Sequence, residues 1–182
     1  MSKNNVYALL ERIGNLCRSE ERRFGKVHNL QPVHLHTLGY LGRANRYSKT
    51  PMAVAEYLGI TKGTASQTVK ALVRRGFVEQ AQDKKDRRVT RLSLTTSGRR
   101  IISSLTPPKS FKEPIERLSS EVEKPLELLL RRLQQSGEVQ SFGVCRTCRY
   151  HESKAGSIHC GLTGERLKQA ESEQICREHQ HV

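Results

Sequence analysis

The stretch "MAVAEYLGITKGTASQTVKALVRRGFVEQ", residues 52–80, decides the fold. Just before it, Thr50 offers a capping hydroxyl and Pro51 lacks an amide hydrogen, a combination that favours the start of a helix. Gly59 can adopt the left-handed conformation that ends this helix, and Thr61 can cap a second one. Two short helices joined by a tight glycine turn are typical of a helix-turn-helix.

The second of these helices has two unlike faces. Its apolar positions are Ala65, Val69, Leu72 and Val73. Its polar positions, which we take as candidate DNA contacts, are Lys62, Thr64, Ser66, Gln67 and Lys70. A helix of this kind fits the major groove, where glutamine can pair with adenine and lysine can reach guanine or phosphate. The segment therefore predicts a reader helix.

A charged hairpin follows the reader helix. Residues 77–78 begin a strand, "DKKDRR" at 83–88 is a run of six charges, and "VTRLSLT" at 89–95 alternates apolar with polar residues as a returning strand does. A basic hairpin tip can enter the narrow minor groove, where the negative potential is strongest. The candidate contacts here are Lys84, Lys85, Arg87 and Arg88. We expect Asp86 to hold a neighbouring arginine in one rotamer.

Amphipathic helices are predicted on both sides of this unit, at 5–24 and 113–135, with another helix at 32–45. We expect Pro125 to kink or split the 113–135 helix. The predicted fold class is mainly α with a small β-hairpin wing (α+β), with a cysteine-rich module after it. The segments are an N-terminal dimerisation helix (1–31), a winged helix-turn-helix (32–105), a C-terminal dimerisation helix region (106–137) and the cysteine-rich module (138–182).

The charge of the 182-residue chain, formally +14, is unevenly spread. Residues 46–100 hold 13 Lys and Arg against 4 Asp and Glu, whereas residues 111–182 hold 11 of each sign. A concentrated positive field favours an anionic partner such as nucleic acid. No stretch has the roughly 20 apolar residues of a membrane span, and no signal peptide is evident, so we expect a cytoplasmic protein without membrane contact.

Residues 33–105 resemble the winged helix-turn-helix of the MarR family of bacterial transcriptional regulators. The likeness rests on residues 52–80 and on "DKKDRRVTRLSLTTSG" at 83–98, which matches the family's D-x-R-D-R-R wing followed by L-T-x-x-G. Lys85 stands where the signature has its first arginine, which keeps the charge but loses the planar fork. The resemblance implies that Arg87 is the residue inserted into DNA.

The resemblance also implies a homodimer formed through the N-terminal and C-terminal helices. A symmetric dimer would place two reader helices about 34 Å apart, one turn of DNA, and so predicts a palindromic double-stranded operator. The family commonly releases DNA in response to a small-molecule effector in a cleft, or to cysteine oxidation. The alternative for the helices is that they pack on their own subunit.

The last segment carries Cys145, Cys148, Cys160 and Cys176 with the spacing C-x2-C-x11-C-x15-C. Three interpretations stay open: zinc bound by four thiolates, an iron–sulfur cluster, or free redox-active thiols. We favour zinc, because so few apolar residues need an additional restraint to fold. His151, His159 and His179 are possible substitute ligands, whereas Cys17 is expected to be a buried apolar residue of the dimer region.

The sequence thus predicts a sequence-specific transcription regulator of MarR type, a dimeric repressor relieved by a small-molecule, metal or redox signal. The alternative is a DNA-anchored adaptor whose cysteine-rich module is a structural zinc unit for protein partners. We expect no enzyme: the chain has no Ser/His/Asp arrangement, no paired carboxylates and no phosphate-binding glycine loop. A four-thiolate zinc site also lacks an open coordination position for catalysis.

Overall fold

The structure is a computed structural model that describes residues 3–105, 107–137, 140–154 and 156–182. Residue 106, at which the sequence places the end of a helix, lies outside the described residues. The helices are α1 (Lys3–His28), α2 (Pro32–Arg43), α3 (Pro51–Leu58), α4 (Lys62–Arg74), α5 (Thr96–Leu105), α6 (Lys109–Ser136) and α7 (Gln169–Ser172). The strands are β1 (Val78–Gln82), β2 (Thr90–Leu94), β3 (Gly143–Val144), β4 (His151–Lys154), β5 (Ser157–Cys160), β6 (Arg166–Leu167) and β7 (Ile175–Cys176), with a short 3-10 turn at Cys145–Thr147.

The helix-turn-helix forms with the caps that the sequence predicts. Thr50 Oγ1 accepts from the Ala53 amide at 3.1 Å, and Thr61 Oγ1 accepts from the Thr64 amide at 3.1 Å. Gly59 between the two helices has a φ of 63°, a conformation that costs glycine little. These local contacts set where α3 ends and α4 begins.

One core joins the helices to the wing. Its largest fully buried side chains include Tyr40, Leu35, Leu38, Leu41, Leu72 and Val54. The strands of the wing add Val78, Leu92 and Leu94. Burial of these apolar surfaces is the main force that holds α4 and the hairpin in fixed positions.

The wing is an antiparallel pair, with register running from Val78 opposite Leu94 to Gln82 opposite Thr90. Thr95 then caps α5, because its Oγ1 accepts from the Gly98 amide at 3.0 Å and donates to the Gly76 carbonyl at 2.7 Å. The charged run at 83–88 forms the tip of this hairpin, as predicted. The predicted winged helix-turn-helix is confirmed as a fold.

Of the two outcomes predicted for Pro125, a kink or a split of the C-terminal helix, the split is wrong. Helix α6 runs from Lys109 to Ser136 with Pro114 and Pro125 inside it. Pro125 removes one amide and frees the carbonyl of Glu121. Since residues around this position are exposed, water can satisfy that carbonyl, and the helix continues.

The cysteine-rich module packs on the winged unit. It contains a three-stranded antiparallel sheet (β4-β5-β6) and a two-stranded one (β3-β7), which sequence reasoning did not predict. Its Phe142 is buried edge-on against Tyr57 and Tyr40, with ring centroids 5.1 and 5.9 Å away. The module is therefore supported by the main core. Among the described residues, no helix is both long and apolar enough to cross a membrane.

Gly98, in the first turn of α5, lies so close to the backbone of Phe77 that the packing there can be tested by substitution. A Cβ at this position would lie 2.2 Å from the carbonyl oxygen of Phe77. We expect Gly98→Ala to destabilise the fold by about 1–3 kcal/mol through overpacking, measured by chemical denaturation. Gly39→Ala in α2 is the control: a Cβ there meets nothing within 4 Å, so stability should be unchanged or higher. Equal stability of the two variants would contradict this packing.

Candidate nucleic-acid interface and cysteine cavity

Helix α4 presents the polar face that the sequence predicts. Ala65, Val69 and Leu72 are buried against the core, together with Thr68. The side chains of Lys62, Thr64, Gln67 and Lys70 are exposed, and Ser66 is half-buried. A single helix thus turns one face to the core and offers a row of donors and acceptors to the solvent.

Two of the five candidate DNA contacts on α4, Thr64 and Ser66, are less available to a partner than the others. The hydroxyl of Thr64 lies 2.9 Å from that of Thr61, and its carbonyl accepts from Thr68 Oγ1 at 2.8 Å. Ser66 is only partly accessible. The side chains of Gln67, Lys62 and Lys70 remain exposed and can contact a DNA groove.

Asp83 organises the tip of the wing. Its carboxylate accepts from Arg91 Nε at 2.7 Å and from the amides of Lys85 and Asp86 at 2.8 and 3.1 Å. These bonds, that from Arg91 first, lower the pKa of Asp83 to about 2. The aspartate is therefore ionised at neutral pH and fixes the turn that carries the basic side chains.

Asp86 holds Arg88 in one rotamer, as the sequence predicts for a neighbouring arginine. The guanidinium donates from Nε and Nη2 to the two oxygens of Asp86, each at 3.0 Å. Arg87 and Lys84 are exposed, and neither has a hydrogen bond or ion pair with the described residues. Arg87 is thus the guanidinium at the tip that is available to a partner.

Lys85 has a partner that sequence reasoning missed. Its Nζ lies 2.6 Å from Oε1 of Glu165, a residue of the cysteine-rich module 80 positions further along the chain. Tyr47 Oη donates to the other carboxylate oxygen at 2.5 Å, and Arg46 Nη2 lies 3.2 Å from it. No local signal in the sequence could have indicated this contact, because it depends on the docking of two distant segments.

The four cysteines at 145, 148, 160 and 176 line one small cavity of about 40 Å³. Its other walls include Asn45, Tyr47, His151 and Leu167. Burial, followed by the neighbouring sulfurs of Cys176, Cys148 and Cys160, raises the pKa of the Cys145 thiol to about 12. The structure therefore brings together the four residues that the sequence selected.

The cavity is not an assembled metal centre. Within the described part of the chain, no three His, Cys, Asp or Glu side chains are arranged to hold a metal ion. The amide of Gln180 donates to Cys148 Sγ at 3.4 Å.

The other residues considered as ligands have different surroundings. His151 reaches the cavity, but its Nε2 lies 3.0 Å from Ser172 Oγ. His179 is buried, with Nε2 2.9 Å from Thr147 Oγ1, and His159 is half-buried. Cys17 is half-buried in α1 of the single chain, in which much of α1 is exposed, and its burial in the dimer region stays a prediction.

The turn formed by residues 45–49 connects the cysteine cavity to the wing. The Asn45 amide donates to the Ile175 carbonyl at 2.8 Å, and the Arg177 amide donates to Ser48 Oγ at 2.8 Å. On the opposite side of the turn, Arg91 Nη1 donates to the Tyr47 carbonyl at 2.6 Å. Two strands from different parts of the chain are thus bonded to the same few residues.

Comparison with known proteins identifies the central segment. Residues 28–89 match the model of the MarR family. An 82-residue stretch is 35% identical to the uncharacterized HTH-type transcriptional regulator YwaE of Bacillus subtilis. That match covers 44% of this chain and 48% of the relative, so it spans about half the length of each protein.

Solved structures share the fold over a longer range. A MarR transcriptional regulator from Methanosarcina mazei has a TM-score of 0.62 at 20% identity, covering 74% of this chain and 100% of that one. FabT of Streptococcus pneumoniae in complex with DNA has a TM-score of 0.59 at 23% identity, with 75% and 100% covered. The MepR–DNA complex of S. aureus has a TM-score of 0.55 at 22% identity, with 75% and 99% covered.

The family match and the YwaE relative concern regulators of transcription. Each of the two matches covers only part of this chain, and the expectation that it is not an enzyme stays a prediction. The fold neighbours agree with the predicted architecture of helices around a winged unit.

Proposed function

From a winged helix-turn-helix of MarR type at residues 28–89, we propose that the protein is a sequence-specific DNA-binding regulator of transcription, a dimeric repressor. The observation that carries this is that one core holds two elements whose basic side chains stay exposed. Helix α4 and the basic wing tip are fixed by one core, and both leave their cationic and amide side chains exposed. A helix in the major groove and a hairpin beside it is a standard docking mode for such a unit.

The proposed DNA contacts divide into two kinds. Gln67 and Lys70 on α4 are suited to base edges, together with Ser66 near the protein surface. Lys62 and Thr64, in the first turn of α4, are suited to phosphate, which the helix N-terminus also attracts. At the wing, Lys84, Lys85, Arg87 and Arg88 supply positive charge, with Arg87 as the least encumbered guanidinium.

A homodimer is supported by two uncovered apolar faces. On α1 the exposed residues are Val6, Leu9, Leu10, Ile13 and Leu16; on α6 they include Ile115, Leu118, Val122, Leu126, Leu130 and Leu133. Helices with such apolar stripes bury them when a partner is available. We infer that α1 and α6 pair with those of a second copy, which would present two α4 helices to a palindromic operator.

Arg87→Ala tests the wing. We expect weaker operator binding and a flatter dependence of affinity on salt, by about 0.9 in the log–log slope for each subunit, because one phosphate contact is lost. The measurement is a fluorescence-anisotropy titration at several salt concentrations. Arg117→Ala is the control, since Arg117 is an exposed arginine of α6 that belongs to neither α4 nor the wing and pairs with Glu113. An unchanged slope for Arg87→Ala would contradict the wing assignment.

Gln67→Ala tests base reading by α4. We expect it to change sequence preference, with a loss of about 1–3 kcal/mol on the preferred operator and little loss on non-operator duplexes. Competition binding across operators with single base-pair changes would measure this. A uniform loss on every duplex would show that Gln67 contacts the backbone rather than bases.

For the cysteine-rich module we propose zinc held by Cys145, Cys148, Cys160 and Cys176. The support is that all four cysteines line one cavity, because four thiolates are a ligand set that zinc prefers. The module also packs against the wing and the core through Glu165 and Phe142. That docking disfavours the alternative of an independent adaptor unit.

Cobalt substitution tests this site. We expect one Co²⁺ per chain to give the intense visible absorption of a tetrahedral thiolate complex, and Zn²⁺ to displace it. Cys160→Ser should abolish the spectrum, whereas Cys17→Ser should leave it intact because Cys17 lies in α1. If both variants keep the spectrum, this ligand set is ruled out.

A further inference from the structure

The contact between Glu165 and the wing places a negative charge on the proposed DNA-binding surface. Both carboxylate oxygens are engaged, one by Lys85 Nζ at 2.6 Å and the other by Tyr47 Oη at 2.5 Å. These hydrogen bonds, that from Lys85 first, lower the pKa of Glu165 to about 2, so the carboxylate is fully ionised at neutral pH. Lys85 is also a proposed phosphate contact. Its ammonium cannot pair fully with the Glu165 carboxylate and with a DNA phosphate at the same time.

Glu165 belongs to a short turn that begins at a cavity cysteine. The Cys160 amide donates to the Glu165 carbonyl at 2.9 Å, and the Gly164 amide donates to the Cys160 carbonyl at 2.8 Å. Gly164 has a φ of 69°, which allows the turn to close within these few residues. Restraining the sulfur of Cys160 therefore restrains the segment that carries Glu165.

A second cavity cysteine is tied to the same region of the winged unit. Cys176 lies between Ile175, whose carbonyl accepts from Asn45, and Arg177, whose amide donates to Ser48. The Arg177 guanidinium also makes two bonds to Glu56 of α3, at 2.5 and 2.8 Å. Tyr47, which bonds Glu165, is itself part of the cavity wall.

From this arrangement we propose that the four-cysteine cavity is the effector site of the regulator, that its effector is a thiophilic divalent cation of the zinc class, and that loading it lowers DNA affinity by holding Glu165 against Lys85. The inference rests on the DNA binding and the zinc site proposed above. It goes further in naming the signal, the direction of its effect and the residue that transmits it.

That the bound ion lowers DNA affinity follows from the weakness of the Glu165–Lys85 ion pair in its absence. The Lys85 side chain is 83% exposed, and an exposed ion pair of this kind is weak in water, so a DNA phosphate can displace Glu165 when the turn is free. An ion bound to Cys160 and Cys176 restrains two segments: the turn that carries Glu165, and the strand end that is bonded to the 45–49 turn with Tyr47. Less conformational freedom is then lost when Glu165 meets Lys85, and the carboxylate competes better with DNA.

The test is a set of operator titrations with and without Zn²⁺, using the full chain. For the wild type we expect zinc to lower affinity roughly tenfold at low salt and to flatten the log–log salt slope by about 0.9 per subunit, the value of one phosphate contact. Glu165→Gln removes the charge and should bind DNA with the same affinity with and without zinc. Its Co²⁺ spectrum should match that of the wild type.

Glu173→Gln is the matched control. Glu173 is an acidic residue of the same module, but it pairs with Arg146 at 2.8 Å and not with the wing. This variant should retain the full zinc response. If Glu165→Gln also retains it, transmission through Glu165 is wrong.

Other outcomes separate this inference from the proposals beneath it. A normal Co²⁺ spectrum together with a zinc-independent or zinc-enhanced DNA affinity in the wild type overturns the inference and leaves the zinc site intact. The absence of any metal spectrum overturns both the inference and the proposed zinc site. A wild type that prefers no duplex in either state overturns the proposed function itself.

Discussion

The hydrogen-bonded turn at residues 45–49 is the constraint on which the rest of the structure depends. Tyr40 of the core donates to the Ser48 carbonyl at 2.8 Å, and the Leu92 amide of the wing donates to the Lys49 carbonyl at 2.8 Å. The Asn45 amide bonds the last strand of the cysteine-rich module at 2.8 Å. Because these partners are mostly buried, the loss of any one would leave an unsatisfied polar group inside the protein. Core, wing and module are therefore held in one fixed relation.

Because core, wing and module are held together in this way, a small apolar core can fix the positions of the polar side chains on a larger surface. The core orients α4 and the hairpin, and the side chains that it does not bury are those suited to DNA. Opposing charges then adjust the surface: Asp83 shapes the tip, Asp86 fixes Arg88, and Glu165 occupies Lys85. Arg87 and Lys84 stay available. The wing is thus a set of cations of which some are paired with carboxylates and others are not.

The parts of the fold that could be predicted from the sequence are those fixed by local chemistry. Caps at Thr50, Thr61 and Thr95, the glycine turn at Gly59 and the alternating strand after the charge run each act over a few residues. The Glu165–Lys85 contact and the docking of the module on Asn45 could not be predicted, because they join segments about 80–130 positions apart, which no local pattern encodes. The β4–β5 pair is local, between residues 151 and 160, and sequence reasoning missed it. Pro125 was misjudged for a related reason, since its effect depends on solvent access rather than on residue type alone.

The central claim is that α4 and the wing recognise one DNA sequence as a symmetric pair. Selection of binding duplexes from a fully randomised pool, by the purified full-length protein, tests it most directly. The account predicts enrichment of a palindrome whose half-sites are about one helical turn apart, roughly 10 base pairs from centre to centre. A selected pool that stays as diverse as the starting pool, with and without Zn²⁺, would contradict it.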